Sequence, residues 1–351
     1  MAKRVRENWR RLMLMGLVLS VVLTLGVGTA QAAKKRQSIE IAAANKATFM
    51  LMPELPNDNL GGNQLGYFNL RVKKDQTRTV RIKVFNPTKH TIKIYGQVKD
   101  ATTNDNASVD YLGSNLNDRQ LLKQPGSQFV TVPKMTTLAA GATKYIPVKV
   151  EIGNNFNGVK ATAVNLTANQ FNQKSAIKNA YRYAIGLILN GEGLKKRDYH
   201  YLQSPSIKTR FTKAKKAAIS VELVNPDAMY LEKATINVKL QNQKWHFVQY
   251  EQSIKDGKIA PNTRFYVDLL LGGKRLVPGT YDMTLTTRNR RYNKTLHKQV
   301  LITESQAKYI NRLNAAYLRN RNLILGSLVI VLVLLVGISL RIYYIRKRKK
   351  D

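Results

Sequence analysis

Hydrophobic and polar residues alternate singly along most of this chain. Between Thr79 and Phe85, Val80, Ile82 and Val84 point one way while Arg81 and Lys83 point the other. That two-residue period is what a half-buried strand requires. Asn86-Pro87-Thr88-Lys89 then makes a turn, because proline fixes φ and asparagine tolerates unusual backbone angles. The alternation resumes at Thr91–Val98 and Tyr145–Ile152, and more weakly at Ala47–Met52, Tyr67–Val72, Gln128–Val132 and Val159–Ala168. Tyr181–Leu189 is more continuously apolar and suits a central strand. A second series follows Ser206: Ile219–Leu223, Ile236–Leu240, Trp245–Tyr250, Arg264–Leu270, Tyr281–Thr287 and Leu296–Ile302. Short strands separated by turns predict an all-β fold built from sandwiches. The length calls for two tandem immunoglobulin-like β-sandwich domains, 33–164 and 165–304, although Lys195-Lys196-Arg197 could equally mark the seam. Tyr281, following Pro278-Gly279, is expected to pack its ring and bond its hydroxyl to nearby backbone.

Both ends break the alternation. Ala307, Ile310, Leu313 and Ala316 or Tyr317 recur at helical spacing, predicting a juxtamembrane helix over 305–322 that runs straight on. An uncharged apolar run from Leu323 to Leu340 follows. Helices rise about 1.5 Å per residue, so roughly 20 residues cross a hydrocarbon core. A transmembrane helix is expected at 323–345, with a basic cytoplasmic tail at 346–351 under the positive-inside rule. At the other end, five bases precede the apolar stretch Leu12–Val27 and Ala30-Gln31-Ala32. This predicts a signal peptide over 1–32, with an uncleaved first anchor as the alternative.

Charge and chemistry narrow the function. The chain has no cysteine and a net charge of +37, most of it between the two hydrophobic runs. Outside a cell, such a polycation faces anionic wall polymers or a membrane surface rather than nucleic acid, unless the charge is an adaptation without a specific ligand. His90, His200, His246 and His297 are not at ligand spacing, and neither a nucleophile elbow nor a phosphate loop is present. No enzyme activity, metal or cofactor is expected. Polar and aromatic groups at Asn63, Gln64, Tyr67 and Asn69 are the candidates for binding glycan, set against a plain turn and strand start. Trp245, Phe247 and Tyr250, framed by the turn at Asn262, are the candidates for a protein partner. On a strand Trp245 and Phe247 share one face and Tyr250 takes the other, either buried or on a free edge.

Phe49-Met50-Leu51-Met52-Pro53-Glu54-Leu55-Pro56-Asn57, Asn63-Gln64, Gly66–Leu70 and Val84–Thr88 follow one another in a recognisable order. Ala101–Asn104, Val109–Tyr111 and Phe156-Asn157-Gly158 continue it, then Ala260–Phe265 and Leu276–Tyr281. In these motifs the chain resembles the WxL-interacting proteins of Gram-positive bacteria. It departs from them at Val159-Lys160-Ala161-Thr162-Ala163, where a Gly-Gly pair is usual. The resemblance implies a first domain that binds peptidoglycan and a second that engages W-x-L surface proteins and, by extension, host matrix molecules. It implies a non-enzymatic scaffold anchored in the membrane. A membrane-tethered assembly chaperone is the alternative, and a wall-glycan enzyme ranks below it.

Overall fold

The computed structural model describes residues 49–113, 118–169, 180–193, 200–290 and 293–347. The expected leader at 1–32 and the Lys195-Lys196-Arg197 segment lie outside these residues.

The first domain contains β1 (Met50–Glu54), β2 (Phe68–Arg71), β3 (Gln76–Phe85), β4 (Ile92–Asp100), β5 (Thr102–Thr103), β6 (Val109–Asp110), β7 (Val130–Thr131), β8 (Met135–Leu138), β9 (Thr143–Ile152), β10 (Val159–Asn169) and β11 (Ala180–Asn190). One sheet has the order β1-β3-β9-β7 and the other β2-β11-β10-β4-β8. Val80, Ile82 and Val84 of β3 and Ile146 and Val148 of β9 pack on Ile94, Leu166 and Leu187 of the facing sheet. Burying each such side chain contributes about 1.5–3 kcal/mol. A one-residue slip of β3 would exchange these valines and isoleucines for Arg81 and Lys83, so the alternation fixes the register.

The second domain contains β12 (Ile207–Phe211), β13 (Ala217–Asn225), β14 (Leu231–Asn242), β15 (Gln249–Ile259), β16 (Thr263–Leu270), β17 (Gly279–Arg288) and β18 (Asn293–Ile302). Its sheets run β12-β13-β16 and β15-β14-β17-β18 around a second core. Tyr281 is fully buried there and its hydroxyl donates to the Val277 carbonyl at 2.6 Å, as the sequence predicts. Each domain also has a buried asparagine at the turn after its long strand. The Asn86 amide donates to the carbonyls of His90, Leu138 and Ala139, and that of Asn225 to the carbonyls of Met229 and Ala260.

Four expectations change. The seam does not fall at residue 165, which lies inside β10. The sheet continues through β11, whose Leu187 and Leu189 complete the first core, so the first sandwich reaches Asn190. Gln128–Val132 is not one strand but a 3-10 turn at Gly126–Phe129 followed by β7. Trp245–Tyr250 is largely a hairpin loop, with β15 beginning at Gln249. The fourth change concerns the terminal helix, which is broken. In α1 (Glu304–Leu313), Ala307 and Ile310 enter the second core and Asn311 brackets the Leu276 backbone, its Oδ1 accepting from the amide at 2.7 Å and its Nδ2 donating to the carbonyl at 2.8 Å. Asn314 leaves helical geometry, donates to the Gly272 carbonyl and accepts from the Tyr317 amide, starting α2 (Ala315–Lys347). The segment Ala315–Ile342 is long and apolar enough to cross a membrane.

Candidate functional site

An arm of the first domain grips the second. The β5–β6 hairpin carries Ala107 into the second core, where the Ala107 carbonyl accepts from the Lys258 amide at 2.8 Å. Thr103 Oγ1 lies 2.8 Å from Thr263 Oγ1 and accepts from the Ala260 amide at 3.0 Å, all of it buried. Charged pairs flank the arm: Arg210 with Asp105 and Arg264 with Asp118, both at 2.8 Å. Arg264 also reaches Glu222 on β13. β13 is buried on both faces: Arg210 and Asp268 bond Ser220, and Ser206 and Arg264 bond Glu222, so both polar side chains sit inside with partners. Arg264 and the Ser206 hydroxyl outweigh burial at Glu222 and hold its carboxyl below the usual range.

Between the arm and the two sheets lies a cleft of about 620 Å³. Tyr67, Asn69 and Gly186 line it from the first domain's sheet, Tyr111 from the arm, and Tyr230, Glu232 and Lys258 from the second domain. Gly186 has no side chain, which leaves Tyr67 room to lie across β11, where an added Cβ would come within 3.3 Å of the Tyr67 Cβ and 3.7 Å of its ring. The Tyr111 and Tyr230 hydroxyls meet at 2.8 Å, and the Lys258 ammonium sits 4.9 Å from the centre of the Tyr230 ring. Burial pushes both phenols well above their ordinary pKa, so they stay neutral and can donate and accept. Burial pulls Lys258 down, but its hydrogen bond and attraction to Glu232 win and keep it charged. The cleft therefore offers aromatic surface, two neutral hydroxyls and one ion pair, a set suited to sugar rings with hydroxyl and amide substituents. A larger cavity of about 1000 Å³, lined by the His200–Asp227 pair among others, shares Val159, Asn190, Tyr230 and Glu232 with it.

The structure brings together two of the four glycan candidates. Tyr67 and Asn69 line the cleft, whereas Asn63 and Gln64 are exposed in the preceding turn. The Asn69 amide is already engaged, donating to the Leu60 carbonyl and accepting from Asn190. The partner candidates are separated. Trp245 and Phe247 project from a hairpin loop, while Tyr250 is buried and donates to the Arg275 carbonyl at 2.9 Å. Asn262 lies beyond the opposite end of β15, roughly 30 Å away at about 3.3 Å per strand residue. There it bonds the Pro226 and Asp227 carbonyls with its backbone at φ 49°. Tyr111, Tyr230 and Lys258 were not anticipated. No local pattern joins two tyrosines 119 residues apart.

Residues 49–168 match the peptidoglycan-binding domain of the WxL Interacting Protein family, and residues 172–312 match that family's host-binding domain. The chain belongs to the WxL-interacting protein family. Membership makes its two sandwiches binding domains, one of the peptidoglycan-binding and one of the host-binding kind. No curated protein matches the sequence. Among solved structures, the YadV chaperone aligns at 12% identity over 73% of this chain and 100% of that one, with a TM-score of 0.30. The periplasmic chaperone SfaE aligns at 14% identity over 73% and 99%, with a TM-score of 0.30. The CsuC–CsuE pre-assembly complex from Csu pili of Acinetobacter baumannii aligns at 10% identity over 72% and 98%, with a TM-score of 0.32. Scores this low carry no argument about function.

Proposed function

We propose that this family member is a membrane-anchored surface scaffold that holds the cell wall through the cleft around Tyr67 and presents its second domain to W-x-L surface proteins. Its basic end at Arg346-Lys347 lies in the cytoplasm and both sandwiches face the wall. The observation that carries the reading is the aromatic cleft on the outer face of the peptidoglycan-binding domain, closed on its far side by Tyr230 and Lys258 of the second. Wall engagement at this seam touches both domains at once, so the wall and the second domain's partner sense one rigid body. The rest of the positive charge draws the protein to anionic wall polymer without reading a shape.

The test compares wild type with Tyr67→Ala, the full chain in detergent micelles, binding to isolated walls with and without teichoic acid. Losing the ring from the cleft should weaken binding to stripped walls by about tenfold, near 1.4 kcal/mol, with the melting temperature unchanged. Binding that vanishes with salt and with teichoic acid removal, yet ignores Tyr67→Ala, would reduce the interaction to charge alone and overturn the cleft assignment.

A further inference from the structure

We propose that the hairpin tip carrying Trp245 and Phe247 rests in the headgroup layer of the membrane that α2 crosses, giving the second domain a second point of contact with the bilayer. The tip is built, not slack. The buried Asn242 side chain accepts from the Lys244 and Trp245 amides at 3.0 and 2.8 Å, and the Val248 amide donates to the Trp245 carbonyl at 2.7 Å. This fixes two large apolar rings outward, 6.0 Å apart, with Trp245 46% and Phe247 80% exposed. Neither ring is needed to fill the core, so holding them in water costs free energy that a membrane interface would recover.

The end of the domain from which they project is the end from which the span leaves. The Gln243 amide bonds the Thr280 carbonyl at 2.9 Å, placing the tip beside the start of β17. The preceding loop is tied to the same region by the Tyr250 and Tyr281 hydroxyls, which bond the Arg275 and Val277 carbonyls. That loop in turn holds the helices: Asn311 brackets Leu276, Asn314 bonds Gly272, and Gly273 lies against the Asn320 side chain, where a Cβ would collide. Asn320 stands just ahead of the apolar run that begins at Leu323. The first domain docks at the opposite end, on the turns at Ala228 and Ala260. The surroundings fit a headgroup layer too. Lys244, Lys274, Arg275, Arg312, Arg319 and Arg321 are exposed at this end, beside exposed Tyr309 and Leu313. Aromatic rings populate membrane interfaces, and Lys and Arg beside them are attracted to an anionic leaflet. On this proposal the two rings face lipid, in place of the protein partner that their sequence context suggested.

Trp245 is its own reporter, since Trp9 is the other tryptophan in the chain. The full chain bearing Trp9→Phe is placed in nanodiscs of phosphatidylglycerol and phosphatidylcholine, with or without bromine on the acyl positions nearest the headgroup. Brominated lipid should lower Trp245 emission by at least about twofold and the bilayer should shield it from aqueous iodide, as for interfacial tryptophans. Pure phosphatidylcholine should weaken both effects. Emission that ignores bromine and is fully quenched by iodide would overturn the proposal. So would a ring that stays wet in nanodiscs and becomes shielded on adding a W-x-L protein, which would make the tip a protein-docking site. Wall binding is not involved in either readout, so the result is independent of the cleft assignment.

Discussion

Replacing Thr103 by valine tests whether the two sandwiches behave as one body. The hydroxyl is the middle link of a closed circuit: the Ala260 amide donates to Thr103 Oγ1, Thr103 and Thr263 share a hydrogen bond, and Thr263 Oγ1 donates to the Ala260 carbonyl. Thr103 and Ala260 are 1% and 0% exposed, so water cannot replace the missing oxygen. Valine keeps the shape and removes the acceptor. A buried amide left without a partner costs about 1–3 kcal/mol, and the lost Thr103–Thr263 bond adds roughly another 1 kcal/mol. We expect about 2–4 kcal/mol in all, or roughly a 30- to 900-fold shift toward the undocked state. Hydrogen exchange of the full chain in micelles reads it directly. Amides of β5, β6 and the Ala260 turn should lose protection by that factor while β3 and β9 keep theirs. Thr103→Ser, which retains the oxygen, should exchange like wild type. If Thr103→Val costs less than about 0.5 kcal/mol, or if serine behaves like valine, the hydroxyl circuit is not what couples the domains.

Asn86→Ala should destabilise the first sandwich by about 3 kcal/mol, because three carbonyls lose their donor. Asn86→Asp should be no better, since it aims an oxygen at the same carbonyls; chemical denaturation of both variants checks this. Tyr281→Phe should lose about 1 kcal/mol, the worth of one hydrogen bond to the Val277 carbonyl, with the ring still packed. Acid should loosen the domain interface through Asp118. Burial pushes its carboxyl up, but the Gln120 and Leu121 amides and the Arg264 guanidinium win, leaving it depressed. A depressed carboxyl stabilises above its ordinary pKa and loses that contribution as pH falls through the folded value. Exchange protection at the interface should therefore drop on acidification, and Asp118→Asn should flatten the dependence. Asp100 works oppositely: burial raises it, so its cost appears as pH rises and is relieved by acid.

Single-residue alternation was sufficient to identify β3, β4, β9, β14, β16 and β17, because one side of each faces a core and the other faces water. The apolar C-terminal helix and the Tyr281 corner were equally local, since length, composition and one turn define them. Less was legible where a second surface covers the first. The outer face of β13 is closed by side chains from neighbouring segments, Arg210 and Asp268 at Ser220 and Ser206 and Arg264 at Glu222, so these two residues read as a solvent face and are buried instead. The run KWHFVQY contains strand-forming residues throughout, yet Asn242 captures two of its amides and turns the chain before a ladder can form. Helical periodicity located α1 but not its end at Asn314, which is set by a bond to Gly272 in a distant loop. The cleft was the least accessible of all. Tyr67 was recognised as an aromatic group at a strand start, but Tyr111, Tyr230 and Lys258 join it through packing between domains. The sequence thus determined which side of each strand is apolar and where the chain becomes a membrane helix, because those depend on neighbours within a few residues. The tertiary structure decided which polar faces are covered, which aromatic rings stay outside and where a ligand has room, because those depend on surfaces brought together from far along the chain.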